Sequence, residues 1–294
     1  MRSPGSGLRS VPADPGSMES SSSSPDPLLG APDAERYLRD GFLVCPGFFL
    51  PEEVRLLRRV LEKDPGFLST VRTGQDHEGH PVDLWISGTL GEDVLSAFVR
   101  ARHLVEAAEL LLGDEAYHWH HKVTLKAARN GGAWEWHQDY GYWYDYGCLF
   151  PDLVSAMIAI DPATPHNGCL QVIRGSHRLG RLDTSRRADQ TSVGNDERLR
   201  VIQDEMEVVP CVLAPGDAVF FHANTLHRSG VNQSPDPRWA LLCVYNARKN
   251  APRDIPPVRP HDPAAPPSPY ARLERWPRSR IGEVAKERLE ELLR

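Results

Sequence analysis

The chain is poor in the features that mark membrane, nucleic-acid or disulfide-stapled proteins. No run of about 18 apolar residues occurs, and mean hydropathy is −0.44, so no helical membrane span is expected. Basic residues do not predominate. Lys and Arg number 34 against 40 Asp and Glu, a net charge of −6, which argues against a surface that coats phosphate backbones. The five cysteines, Cys45, Cys148, Cys169, Cys211 and Cys243, are scattered and include no Cys-x-x-Cys pair. Neither a disulfide framework nor a thiolate zinc site is expected, and the reducing cytoplasm is the default compartment. The N-terminal stretch also lacks the apolar core of a secretory signal. With 40% hydrophobic and 25% charged residues over 294 positions, the composition is that of a globular chain with one large domain or two small ones.

Residues 1–30 hold nine Ser, five Pro and four Gly, too little apolar surface to offset the entropy of ordering, and read as a disordered tail. Met18 leaves open a shorter natural start. The stretch 251–270 holds eight Pro and reads as an extended or looping segment. Beyond it, Ile281, Val284, Ala285, Leu289, Leu292 and Leu293 recur at helical spacing, so 251–294 is expected to close on an amphipathic helix. Between the tails, 31–250 starts helical and turns β. Asp33 to Asp40 and Pro51 to Asp64 read as short helices flanking the apolar run Phe42 to Phe49, and Glu92 to Leu112 as one longer helix stopped by Gly113. From Tyr117 onward, short apolar or alternating runs (117–126, 153–160, 169–173, 207–213, 218–222, 239–245) are separated by turn residues. This pattern predicts a mainly β fold with flanking helices, an antiparallel sandwich or jelly roll. The polar, unpatterned stretch 179–206 is expected to be an insertion between strands.

The 12 His, 7 Trp and 8 Tyr carry the chemistry, and many fall between 118 and 146. In Trp136-His137-Gln138-Asp139, alternate strand side chains share a face, so His137 and Asp139 form half a metal site or an ordinary polar pair at a turn. Downstream come Pro215 to His222, with the strand-like run Ala218 to Phe221, then His227-Arg228-Ser229-Gly230-Val231-Asn232, then Arg238. A His beyond that strand, His222 or His227, could complete a 2-His-1-carboxylate set, the scaffold that leaves iron with open positions. Arg238 opens the next apolar strand with a planar fork suited to a carboxylate. Two patterns stay open. His118 and His120 would share a strand face, as a second metal site or as polar residues of a pocket. The loop with Tyr140, Tyr142, Trp143, Tyr144 and Tyr146 would be a substrate wall or packing.

Taken in order, WHQD (136–139), NGCLQVIRGSH (167–177), PGDAVFFH (215–222), HRSGVN (227–232) and Arg238 resemble the phytanoyl-CoA dioxygenase family of Fe(II)- and 2-oxoglutarate-dependent oxygenases, over about residues 36–248. The resemblance implies a double-stranded β-helix jelly roll of cupin type, Fe(II), and O2 with 2-oxoglutarate as co-substrates, the latter converted to succinate and carbon dioxide; ascorbate would be an optional stimulant. Carried over by position, it implies iron ligands at His137, Asp139 and His227 in preference to His222. It also implies a distal-carboxylate site at Arg238 and Ser229, with Lys122, Gln138 and Met157 near the co-substrate and His177 structural. Halogenases related to this family lack the carboxylate of His-x-Asp; Asp139 is present, which favours hydroxylation. Arg174 departs from the family's frequent Pro and would alter a loop or add a charge near the site. The expected partner is a small-molecule substrate whose identity, like the oligomeric state, is not legible, and no basic cluster suggests a coenzyme A handle. Nucleic acid and membrane are not expected partners. The alternatives are a jelly-roll metal-binding protein without catalysis and a cupin-like metalloenzyme that does not use 2-oxoglutarate; the full ligand set, with Arg238 and Ser229, counts against both.

Overall fold

The computed structural model describes residues 29–254 and 269–294. Most of the Ser-rich tail 1–30 and of the Pro-rich stretch 251–270 therefore lies outside the described residues. A large antiparallel sheet runs, edge to edge, β1 (Phe42–Cys45), β11 (Ala218–His222), β6 (Leu153–Ala159), β13 (Arg238–Ala247), β4 (Ala116–Lys126), β3 (Pro81–Ser87) and β2 (Arg72–Gln75). A smaller antiparallel sheet runs β10 (Val208–Pro210), β7 (Leu170–Ile173), β12 (His227–Ser229) and β5 (Trp134–His137). The two pack into a sandwich, as the alternating runs require. Met157, Val219, Phe221 and Leu242 of the large sheet share a buried cluster with Leu170 and Val172 of the small one.

Alternation along the same strands puts Val123, Leu125, Ala156, Ile158, Leu241 and Cys243 on the opposite face of the large sheet. Helices α1 (Ala31–Asp40), α2 (Pro51–Lys63), α4 (Val94–Val99), α5 (Arg102–Leu112) and α8 (Arg278–Leu292) contribute to the core on that side, and α3 (Pro65–Thr70) follows α2. α2 begins as its sequence suggests, with Pro51 in the first turn and the Glu53 carboxylate accepting from Leu50 N at 2.7 Å. α8 buries Ile281, Val284, Ala285 and Leu289, leaves Leu293 exposed, and pairs Arg278 with Glu53 at 2.5 Å and Arg288 with Asp64 at 2.9 Å. All five cysteines are buried and free. No helix among the described residues is long and apolar enough to cross a membrane.

Two expectations are corrected and two stretches left open by the sequence, 42–49 and the insertion 179–206, are filled in. The single helix over Glu92 to Leu112 is two, because Arg100 O and Arg102 N bond instead to the backbone of Trp276. The run Phe42 to Phe49 is a strand only as far as Cys45; Phe48 and Phe49 turn into the helical core against Phe220 and Phe98. The stretch 179–206 holds a hairpin, β8 (Thr184–Arg187) and β9 (Gln190–Val193), and helix α7 (Asp196–Glu205). Asn195 caps α7 by accepting from Arg198 N at 2.8 Å. The polarity of the stretch hid these elements: α7 lies largely on the outside, and β9, though buried, carries the polar residues Gln190, Thr191 and Ser192. Finally, the aromatic loop is helical: Tyr140–Asp145 form α6.

Candidate active site

β5 and β12 are neighbours in the small sheet, and their register sets His137 directly opposite His227. Both side chains point into the sandwich, with ring centroids 4.1 Å apart. Each ring is fixed through Nδ1, which meets Glu135 O at 2.6 Å in His137 and Thr225 O at 2.9 Å in His227. A proton held there leaves both Nε2 lone pairs free to face inward. β5 ends at His137, and the turn into α6 brings Asp139 round to the same point. Its Oδ1 lies 3.8 Å from His137 Nε2, and its Oδ2 3.9 Å from His227 Nε2. The three residues, all buried, are the one group among the described residues that offers three metal-binding atoms, all within 4.8 Å of one another.

The electrostatics suit a cation. Burial alone would raise the Asp139 carboxyl, but Lys122, 3.8 Å away through Nζ, and the two imidazoles hold it well below the usual carboxylate range. Ser155 Oγ adds a hydrogen bond to Oδ2 at 3.2 Å. Burial, with His227 beside it, pushes His137 down to about 3, and burial lowers His227 too. One carboxylate and two neutral imidazoles make a hard, singly charged donor set that fits Fe(II).

A cavity opens between the sheets beside this cluster. Lys122, Met157, Ser229 and Arg238 line it, and so do Thr124, Trp134, Leu170, Arg228 and Leu242. Arg238 is 2% exposed, and burial pulls its guanidinium down to about 10. One nitrogen donates to Gly168 O at 2.7 Å, while Nε is buried without a partner. Thr124 Oγ1 in the same cavity is likewise unpartnered, two register positions from Arg238 across β4 and β13. Orphaned buried donors of this kind want an acceptor, and a carboxylate fits them. Thr124 escaped the sequence reading, although it follows Lys122 at strand spacing and so shares its face.

Other residues fall elsewhere. Gln138, expected near the co-substrate, is spent as a strut. Its amide donates to Gly180 O and Asn224 O at 2.8 and 2.7 Å, and its Oε1 accepts from Leu182 N at 2.8 Å. His222 is not in the cluster. Phe221 points inward, 4.7 Å from the His227 ring, so its neighbour points outward, beside Tyr37 and His177. His177 braces α1 through Leu38 O at 3.0 Å. Arg174 ties Asp40 to Glu207, at 2.8 and 2.7 Å, outside the site. His118 and His120 do not share a face. A bulge opposite Val244 and Tyr245 shifts the alternation, and His118 turns to the helical side with His121, Nε2 to Nδ1 at 3.0 Å. Within α6, Tyr140 bonds Leu149 O at 2.6 Å and Tyr142 accepts from Thr191 N at 3.0 Å, both as packing; Trp143 is buried and Tyr144 exposed.

The profile of the family described as Phytanoyl-CoA dioxygenase (PhyH) matches residues 37–240. The chain belongs to the phytanoyl-CoA dioxygenase family of Fe(II)- and 2-oxoglutarate-dependent oxygenases. It is 34% identical to L-proline trans-4-hydroxylase of Streptomyces griseoviridis, over 80% of this chain and 91% of that protein. It is 28% identical to ectoine dioxygenase of Sphingopyxis alaskensis, over 76% and 78%. The crystal structure of EctD from S. alaskensis with 2-oxoglutarate and 5-hydroxyectoine superimposes with a TM-score of 0.73 at 26% identity, covering 86% of this chain and 89% of that one. The fold is thus the jelly roll of this family. This family member is a non-haem iron dioxygenase that uses 2-oxoglutarate.

Proposed function

We propose that the enzyme hydroxylates a small amino-acid-like molecule, that His137, Asp139 and His227 hold its Fe(II), and that Arg238 with Ser229 and Thr124 receives the distal carboxylate of 2-oxoglutarate. The observation that carries the reading is the conjunction of three converging metal donors with an orphaned buried guanidinium nitrogen in one cavity. When bound, the iron and 2-oxoglutarate supply the oxidising chemistry, with succinate and carbon dioxide released. The protein's own residues do the positioning. The backbone carbonyls of Glu135 and Thr225 fix the imidazole tautomers, and Ser155 and Lys122 keep Asp139 ionised and oriented. Met157, Leu170 and Leu242 keep the cavity apolar around the Arg238 fork, where a charge-assisted bond is strongest.

The substrate class is supported by the L-proline hydroxylase, which the chain matches over nearly all of that protein's length. The test is succinate release with Fe(II), 2-oxoglutarate, ascorbate and either L-proline or ectoine, with mass spectrometry under ¹⁸O₂. One labelled oxygen in the product is the expected result. Absence of substrate-stimulated succinate with both compounds would overturn the substrate class, and absence of 2-oxoglutarate binding would overturn the co-substrate site.

A further inference from the structure

Two buried cations stand side by side next to the cavity, and only Arg238 lines it. The other is Lys126, which ends β4 directly opposite Arg238 on β13; each is 2% exposed. Lys126 follows Lys122 and Thr124 at strand spacing, so its side chain enters the sandwich on the same face. Its Nζ donates to Gly132 O and, at 2.8 Å, to Gly230 O. Gly132 lies just before β5, which carries His137, and Gly230 directly follows β12, which carries His227 and Ser229. Gly230 O in turn abuts Gly168, where a Cβ would collide with it, and Gly168 O accepts from the Arg238 guanidinium at 2.7 Å. One amine thus braces the strands of both histidines of the cluster and the segment that orients Arg238.

The charges around Lys126 do not balance. An ammonium has three N–H donors, and only two acceptors meet it among the described residues. The charged groups that face it are Arg238 from β13 and Asp76 from the turn between β2 and β3; Lys122 stands two rungs along its own strand. Asp76 already accepts from the backbone N–H groups of Glu78, His80 and Ala133 and meets the His80 ring. Asp161, whose charge reaches Arg238, is held by Arg58 at 2.7 Å and by Trp239 N at 2.8 Å. Like charges directly opposite across a strand pair repel, and burial, then Arg238, holds the Lys126 ammonium well below its usual range. A neutral amine keeps two N–H donors, the number that the two glycine carbonyls take.

We propose that Lys126 is a positioning residue for the co-substrate: uncharged in the free enzyme, it takes one proton from solvent as the distal carboxylate of 2-oxoglutarate settles on Arg238, and the resulting ammonium tightens Gly132 and Gly230 around the loaded site. The step adds one N–H bond at Nζ, its proton given up by a buffer acid. The incoming carboxylate cancels the Arg238 charge that opposed protonation. Charge-assisted bonds to the two carbonyls are stronger than neutral ones. The inference rests on the co-substrate reading of Arg238 above and adds a second group to it. Binding and protonation are linked, so 2-oxoglutarate affinity falls as pH rises through the range in which only the loaded enzyme holds the proton.

The test is calorimetric titration of 2-oxoglutarate into the anaerobic Fe(II)-loaded enzyme in buffers of different ionisation enthalpy, from about pH 6.5 to about pH 9. The dependence of the heat on the buffer counts the protons exchanged. For the wild type, uptake approaching one proton is expected, with affinity falling by up to about tenfold per pH unit. Lys126→Met, which keeps the length of the side chain without its proton, should show no uptake and a flat pH profile while still binding Fe(II). Lys126→Arg, charged throughout this range, should take up none either. Equal uptake in a folded variant would place the proton elsewhere and overturn the proposal. Binding by the wild type with no proton uptake at any pH would overturn this proposal alone, with no variant needed. A wild type that binds no 2-oxoglutarate would overturn the co-substrate reading and this proposal with it.

Discussion

The described residues include two close pairs of buried histidines, and only one of these pairs is equipped to bind a metal. His137 and His227 come from facing strands of the small sheet, and His118 and His121 from one strand of the large sheet, with centroids 5.1 Å apart. Burial depresses all four. The difference lies in where the ring nitrogens are spent. In the first pair each Nδ1 is occupied by a backbone carbonyl, so both Nε2 atoms converge on Asp139. In the second, the two rings bond to each other and no carboxylate joins them. Proximity and burial are common to both pairs, and an anchored tautomer with a charged third ligand belongs to one.

The comparison breaks most sharply at Asp139. Asp139→Ala leaves two neutral rings facing the Lys122 ammonium, so Fe(II) affinity should fall by more than the roughly 10- to 100-fold typical of losing a supporting group. Metal titration of the folded variant checks this, with His227→Ala expected to behave alike and His222→Ala to bind as the wild type does. Iron bound normally by His227→Ala but not by His222→Ala would reverse the distal assignment. The next effect is at Arg238. Arg238→Ala should weaken 2-oxoglutarate by about 2–4 kcal/mol, the cost of leaving a buried carboxylate unpaired. Arg238→Lys should lose less, because it keeps the charge but not the fork. Fe(II) binding should survive both changes. Unchanged 2-oxoglutarate affinity in Arg238→Ala would revive the cupin-like alternative without that co-substrate.

How much of this the sequence made legible depends on what sets each feature. Six of the strands between Ala116 and Ala247, namely β4, β6, β7, β10, β11 and β13, announce themselves through apolar runs bounded by turn residues, and the order of WHQD, HRSGVN and Arg238 points to the site before any coordinates. Alternation within a strand also carries over where the strand is regular, as from Lys122 to Thr124. It fails at the bulge near Trp119, where one extra residue reverses the facing of His118, and no local signal marks that residue. The break at Ala101 was equally hidden, because the backbone that interrupts the helix comes from Trp276, far along the chain. Gln138 is a related case. It sits between two ligand positions, but its amide is claimed by the loops carrying Gly180, Leu182 and Asn224, which only the tertiary structure brings near.

The smallest expected effect concerns the second histidine pair, and it appears in stability with no change in iron binding. His121 is buried against Trp85 and His118, and burial pushes it from 6.5 down to about 3. Above pH 6.5 neither the folded nor the unfolded chain protonates this ring, so it contributes no pH dependence. As pH falls below 6.5 the unfolded state takes up a proton that the folded state refuses until about pH 3. Stability should therefore drop across that window, by up to about 1.4 kcal/mol per pH unit from this one group. His121→Phe removes that group, and it also leaves His118 without its ring partner, a cost that is present at every pH. The informative quantity is consequently the slope. Urea unfolding of both proteins between pH 7 and pH 5 should show the variant losing stability less steeply, by about one proton's worth, while its Fe(II) affinity matches the wild type. Equal slopes would mean that His121 is not held neutral, and a loss of iron affinity would mean that the two pairs are coupled across the sheet.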